Sequence, residues 1–252
     1  MKIIVIGGTG LIGSKVVGKL TQLGHHAVAA APNTGVNTLT GEGLAAALEG
    51  AEVVVDMANS PSFEDKAVMD FFTTAGKNVV AAEIAADVKL HVALSVVGTE
   101  RLQDSGYFRA KLAQENLVKS SPIPYTLLHA TQFFEFIRGI AQSATSGDTV
   151  RLSHSLIQPM AAEDVASAVV EAALAPPANG TIEVGGPEAF HLDELIGRVL
   201  AYDNDPRKIV VDPEARYFGV KLDDRSLVPG DAARLGSTTF DWWLTHVAPP
   251  KK

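Results

Sequence analysis

Tyr107 and Lys111 stand four residues apart in Gly106-Tyr107-Phe108-Arg109-Ala110-Lys111. On a helix that spacing puts a phenol and an ammonium on one face. A free phenol has a pKa of about 10, and a neighbouring ammonium favours phenolate and brings it toward working pH. Such a pair suits proton donation to the alkoxide that forms when a carbonyl is reduced. Ser95, upstream, can hydrogen-bond the same oxygen and fix its orientation. Tyr-x-x-x-Lys by itself arises by chance in about one such chain in five, so its place in the fold decides its meaning.

The second cluster is a glycine turn. Lys2-Ile3-Ile4-Val5-Ile6 is an apolar, β-branched run of strand length, followed by Gly7-Gly8-Thr9-Gly10-Leu11-Ile12-Gly13. Leu11, Ile12, Val16, Val17 and Leu20 then recur at helical spacing. The glycines read as Gly8-x-Gly10-x-x-Gly13 and equally as Gly7-x-x-Gly10-x-x-Gly13. One glycine makes the tight turn, one lets a pyrophosphate approach, and one lets the helix pack on the strand. The first helical amides, at Leu11, Ile12 and Gly13, would point at phosphates along the helix dipole. A strand before and an amphipathic helix after are the context that separates this motif from a turn needing only positive φ.

The elements that position these groups alternate. A second strand is expected over Ala27 to Ala31, then Pro32-Asn33-Thr34-Gly35. A carboxylate here would hold the ribose of NAD, and an arginine the 2′-phosphate of NADP. Neither is present. Without the carboxylate, NADP(H) is placed ahead of NAD(H), with Asn33 and Thr34 as polar contacts. A short helix follows over Thr40 to Glu49, then a third strand over Val53 to Asp56. Ala58 and Asn59 come just past its C-terminal end, the edge where open α/β sheets bind ligands. A long helix runs from Phe63 to Ala86, with a break expected near Gly76. Leu90 to Val96 is the fourth strand, carrying Ser95 near its end. Tyr107 opens the next helix, and Pro124 to His129 is a fifth strand. This alternation specifies a doubly wound parallel α/β sheet of Rossmann type.

Beyond it, Gln132 to Ala144 reads as a helix rich in phenylalanine. Thr149–Leu152 and Leu156–Met160 read as short strands, Ala162 to Ala175 as a helix, and Thr181 to Val184 as a return to the sheet. His191 to Tyr202 is another helix. Periodicity fades from Asp212 to Gly236, as expected of a lobe over a site. The segment Phe240 to Leu244 docks on the body, and the Pro-Pro-Lys-Lys end reads as a frayed tail. The expectation is one domain over 1–252, with a small discontinuous C-terminal substrate lobe drawn mainly from 132–160 and 186–245.

Composition bounds the partners. The net charge of -8 over 252 residues opposes nucleic-acid binding. No apolar run reaches membrane-spanning length, and the N-terminal run reads as a strand rather than a signal peptide. With no cysteine there is no disulfide, thiolate metal site or catalytic thiol. The His25-His26 pair lacks partners at metal-ligand spacing, so no metal is expected. A cytoplasmic protein acting on a small molecule is the expectation.

Taken with the glycine turn, Ser95, Tyr107 and Lys111 resemble the short-chain dehydrogenase/reductase superfamily over roughly Met1 to Thr131. The subgroup most similar is the atypical or extended, NmrA-like set of NAD(P)-binding proteins. Gly106-Tyr107-Phe108-Arg109-Ala110-Lys111-Leu112-Ala113 and Gln158-Pro159-Met160-Ala161-Ala162-Glu163-Asp164-Val165-Ala166 carry that similarity. The resemblance implies a Ser95/Tyr107/Lys111 triad, with Lys111 also binding the nicotinamide ribose. It implies that Ala130, Thr131 and Phe133 contact nicotinamide, that Asn78 supports the lysine through water, and that the helices after Phe63 and Tyr107 form a homodimer face. His129 departs from the usual arginine and Ala130 from the usual proline. The function implied is NAD(P)H-dependent hydride transfer to or from a small carbonyl or quinone-type molecule. The alternatives are a non-catalytic NAD(P)-binding redox sensor and a nucleotide-sugar epimerase-type enzyme.

Overall fold

The structure is a computed structural model that describes residues 1–247; residues 248–252, with the Pro-Pro-Lys-Lys end, lie outside the described residues. Its first half alternates as the pattern requires: β1 (Lys2–Ile6), α1 (Gly13–Gln22), β2 (His26–Ala30), α2 (Leu44–Leu48), β3 (Val53–Asp56), α3 (Asp65–Ala85), β4 (Leu90–Val96), α4 (Gly106–Lys119) and β5 (Tyr125–Ala130). Then follow α5 (Ile137–Ser143), β6 (Thr145–Ser146), β7 (Thr149–Leu152), β8 (Leu156–Ile157), α6 (Ala162–Leu174), β9 (Gly180–Gly185), β10 (Phe190–His191), α7 (Leu192–Tyr202), β11 (Lys208–Val211), β12 (Arg216–Tyr217), β13 (Val220–Lys221), β14 (Arg234–Leu235) and α8 (Phe240–His246).

A seven-stranded sheet in the order β14-β9-β5-β4-β3-β1-β2 carries the doubly wound topology. The β2-β1-β3-β4-β5 ladder is parallel throughout. Its strands are continuous apolar runs because both faces are covered: Ile3, Ile4, Val5 and Ile6 are all buried, as are Val53, Val54 and Val55. On one face Ile4, Ile6 and Val54 pack with Leu44 and Leu48 of α2 and Val79 of α3.

Three elements differ from the sequence expectation. α3 runs unbroken through Gly76; a Cβ there would meet Leu117 Cδ1 of α4 at 3.0 Å, so that glycine serves helix–helix packing. The short helix shrinks to Leu44–Leu48 because Gly41 and Gly43 hold φ of +79° and +74°, outside helical space. In the phenylalanine-rich segment, Phe133 is extended, Phe134–Phe136 make one 3-10 turn, and α5 starts only at Ile137.

The described chain divides into two compact units, 1–130 with 165–182 and 131–164 with the residues from 183 onward. The first holds β1 to β5 and α1 to α4. The second contains a three-stranded sheet β11-β7-β6 and two antiparallel pairs, β10-β8 and β12-β13. Its core is aromatic: the Phe134 ring lies 5.5 Å from that of Phe240 and 5.3 Å from that of Trp243.

Candidate active site

The glycine turn after β1 divides its labour among its glycines. Gly7 holds φ +71° and gives its N–H to Ala30 O of β2 at 2.8 Å. Gly13 lies against the turn so closely that a Cβ would fall 2.2 Å from Gly7 O. Gly8 is equally closed, since a Cβ there would fall 2.6 Å from Val5 O. Gly10 differs: apart from its chain neighbours, only Gly7 O among the described residues lies within 4 Å of its Cβ position, at 3.3 Å. The side of Gly10 is therefore open for a ligand. No carboxylate stands in the first turn of α1, and among the described residues the amides of Leu11, Ile12 and Gly13 have no backbone partner. An open glycine beside three unpaired amides fits a pyrophosphate.

The turn after β2 is more committed. The Thr34 hydroxyl accepts from Ala31 N at 2.9 Å and donates to Ala29 O and Ala31 O at 3.0 Å. The Thr34 and Gly35 amides are spent on Ala31 O and Pro32 O. Asn33 stays exposed, its Oδ1 accepting from the Thr9 hydroxyl at 3.1 Å. After β3, Asp56 Oδ1 accepts from Ala58 N at 3.0 Å and Asn59 Oδ1 from Ser60 N at 3.0 Å, so both predicted neighbours sit in one side-chain-braced turn.

The start of α4 is fixed by Gly106. A Cβ there would fall 2.0 Å from Asp65 Oδ1, and Asp65 also takes Arg109 Nη2 at 2.6 Å. This anchorage presents Tyr107, whose ring lies 5.6 Å from Phe63, 6.2 Å from Phe72 and 5.7 Å from Phe108. Among the described residues its hydroxyl makes no hydrogen bond. Burial pushes the phenol up to about 12. Lys111, one turn on, is 3% exposed. It donates to Leu94 O at 2.9 Å and to Gln114 Oε1 at 2.5 Å, with its ammonium 4.7 Å from the Phe72 ring centre. Burial pulls it down to about 8, against the charges of Asp56 and Glu115. The two groups thus share a helix face but no hydrogen bond: Tyr107 is packed among rings, while Lys111 is turned to the end of β4.

Ser95 is drawn inward as well. Its hydroxyl donates to Glu115 Oε1 at 2.5 Å, and His129, opposite it in the β4-β5 register, brings Nε2 to 2.9 Å from the same oxygen. Burial would raise the Glu115 pKa, but the close approach of His129, the Ser95 hydrogen bond and the Lys119 charge outweigh it and hold the carboxyl below its ordinary value. Asn78 gives Nδ2 to Thr38 O at 2.8 Å and to Leu39 O at 3.0 Å; it pins a loop and makes no bond to Lys111. Ala130 closes β5 and is buried. In the second unit, Thr131 gives its amide to Val184 O at 3.0 Å, while its buried hydroxyl and Gln132 Oε1 have no partner among the described residues. Phe133 is bridged to Met160 and stacks on Phe136 at 5.4 Å.

No family model matches the chain. A (4-alkanoyl-5-oxo-2,5-dihydrofuran-3-yl)methyl phosphate reductase from Streptomyces griseus is 27% identical over 227 residues, covering 80% of this chain and 76% of that protein. A short-chain dehydrogenase/reductase superfamily protein from Agrobacterium tumefaciens, solved with bound NAD, superposes with a TM-score of 0.75 at 18% identity, over 97% of this chain and 95% of that one. The chain has the short-chain dehydrogenase/reductase fold. MoeE5 in complex with UDP-glucuronic acid and NAD shares this fold at a TM-score of 0.75 and 18% identity, over 97% of each chain.

Within this dehydrogenase/reductase fold, sequence reasoning missed Asp56. It is 3% exposed, accepts Gln114 Nε2 at 2.9 Å, and through Gln114 reaches Lys111. A signal was there: Asp56 is a lone carboxylate closing an apolar strand, and Gln114 shares the Lys111 helix face at i+3. Glu115, which accepts from Ser95, and His129, which reaches the same carboxylate, were equally unforeseen. Among the described residues no group of three or more His, Cys, Asp or Glu is placed to hold a metal, and no helix is long and apolar enough to cross a membrane.

Proposed function

We propose that the protein is an NAD(P)H-dependent oxidoreductase that transfers hydride to or from a small carbonyl or quinone-type molecule. The observation that carries the reading is the glycine turn, open at Gly10 and lined by the free amides of Leu11, Ile12 and Gly13. The reductase relative adds its support. Hydride is the chemistry a nicotinamide dinucleotide supplies when bound. Gly7, Gly10 and Gly13 shape its pyrophosphate site, and Asn33, Ala58 and Asn59 flank the adenosine side. Ala130, Thr131 and Phe133 are assigned to the nicotinamide side, where the unpartnered Thr131 hydroxyl is a ready donor. NADP(H) stands ahead of NAD(H) because no carboxylate follows β2 to repel a 2′-phosphate.

In this reading Tyr107 donates the proton to the reduced oxygen, Lys111 holds a positive charge near it, and Ser95 with Glu115 and His129 braces the strand ends. The second unit supplies the substrate lobe. The test is NADPH and NADH oxidation by the pure protein against aldehydes, ketones and quinones, with Tyr107→Phe alongside. Turnover that falls by about a hundredfold or more in the variant supports proton donation by the phenol. Unchanged turnover removes Tyr107 from the chemistry. A second reading, a redox sensor without turnover, is favoured by one observation: the Tyr107 hydroxyl is not hydrogen-bonded to Lys111 and burial raises its pKa. Tight dinucleotide binding with no oxidation of any acceptor would select it.

A further inference from the structure

The second unit contains a depression where the end of α5, the end of β7 and the start of β12 meet; buried Leu152 and Leu192 line it, with Arg151, Ser153, Arg216 and Tyr217 as its polar members. Ser153 is 6% exposed, yet its hydroxyl makes no hydrogen bond among the described residues. At the wall of the depression this hydroxyl can donate or accept a hydrogen bond. Arg216 gives one Nη1–H to Gly219 O at 3.0 Å; the rest of its guanidinium has no partner among the described residues. That bond, with the β12-β13 pairing of Arg216 to Lys221, holds the arginine in place. Arg151 is set from one side by Asp212 at 3.2 Å, which leaves further donors of its fork. Two arginines and one serine line the same depression, in a chain whose net charge is -8.

The geometry points to an oxyanion-binding site in this depression: Arg151, Arg216 and Ser153 bind the phosphoryl or carboxylate group of a small molecule. Guanidinium forks match both groups, and charge-assisted hydrogen bonds are the strong ones. The buried leucines and the Tyr217 ring offer an apolar wall to the body that carries the anion. The site lies wholly in the second unit and goes beyond the proposed hydride transfer, so its test needs no turnover.

The experiment is an amide NMR titration of the full chain at constant ionic strength, first with inorganic phosphate and then with benzoate. Saturable shifts at the Ser153, Arg216 and Tyr217 amides are expected with at least one probe, phosphate marking a phosphoryl ligand and benzoate a carboxylate. Arg216→Gln, an exposed position, should leave the remaining spectrum in place and weaken binding about tenfold or more. Ser153→Ala should weaken it severalfold. No saturable shift with either probe, shifts confined to Leu11, Ile12 and Gly13, or equal affinity in Arg216→Gln would overturn the site.

Discussion

Lys111, proposed to hold a positive charge near Tyr107, is nearly fully buried. Its folded-state pKa of about 8 lies below the ordinary 10.5, so between those values the unfolded chain binds more protons than the folded one. Stability therefore rises with pH across that window, by up to about 3 kcal/mol from this group. Tyr107 acts in the opposite sense: its pKa is raised from 10.0 to about 12, and its contribution is lost as pH climbs through that range. Urea unfolding from pH 7.5 to 9.5 should show wild type gaining stability relative to Lys111→Met; parallel profiles would mean the ammonium is better solvated than its burial indicates. The sequence showed the phenol and ammonium on one helix face, which the i, i+4 rule guarantees. It could not show where their polar ends point. Lys111 is captured by Leu94 O and by Gln114 one turn on, and Ser95 by Glu115; the Leu94 and Glu115 contacts are long-range and no local spacing encodes them.

At the scale of elements, the β1-turn-α1 unit predicts a split between two glycines. Gly13→Ala would place a Cβ 2.2 Å from Gly7 O and 2.7 Å from Gly8 Cα. Both are backbone atoms that cannot step aside, so a loss of about 3 kcal/mol or more is expected on thermal or urea unfolding. A loss under about 1 kcal/mol on that scale would mean the turn is loose. The β12-β13 hairpin carries the reverse case. Phe218 holds φ +44° at an exposed tip, followed by Gly219 at +90°. A bulky side chain is strained there and asparagine is not, so Phe218→Asn should stabilise by about 1 kcal/mol. The βα alternation was legible because buried parallel strands are unbroken apolar runs. The 208–236 region was not, because its two- and four-residue strands are too short and mixed to show a period. Gly76 was misread as a break because a glycine that admits a neighbouring helix has no local signature distinct from one that ends its own.

For the whole molecule, the decisive property is the coupling of dinucleotide binding to folding. A ligand that binds only the folded chain stabilises it by about 2.7 kcal/mol at a hundred times its Kd, so NADPH should raise Tm in a concentration-dependent way. The charge of -8 predicts no retention on duplex DNA at about 0.15 M salt, checked by gel shift. Dinucleotide binding depends on the open side of Gly10 in this proposal, and a calorimetric titration of wild type and Gly10→Ala with NADPH and NADH tests it most directly. Wild type should bind at least one of them, with NADPH ahead, and Gly10→Ala should keep its Tm within a few degrees while losing about tenfold or more in affinity. A wild-type chain that binds neither dinucleotide, or a variant that binds as well as wild type, would contradict the assignment of the glycine turn to a pyrophosphate.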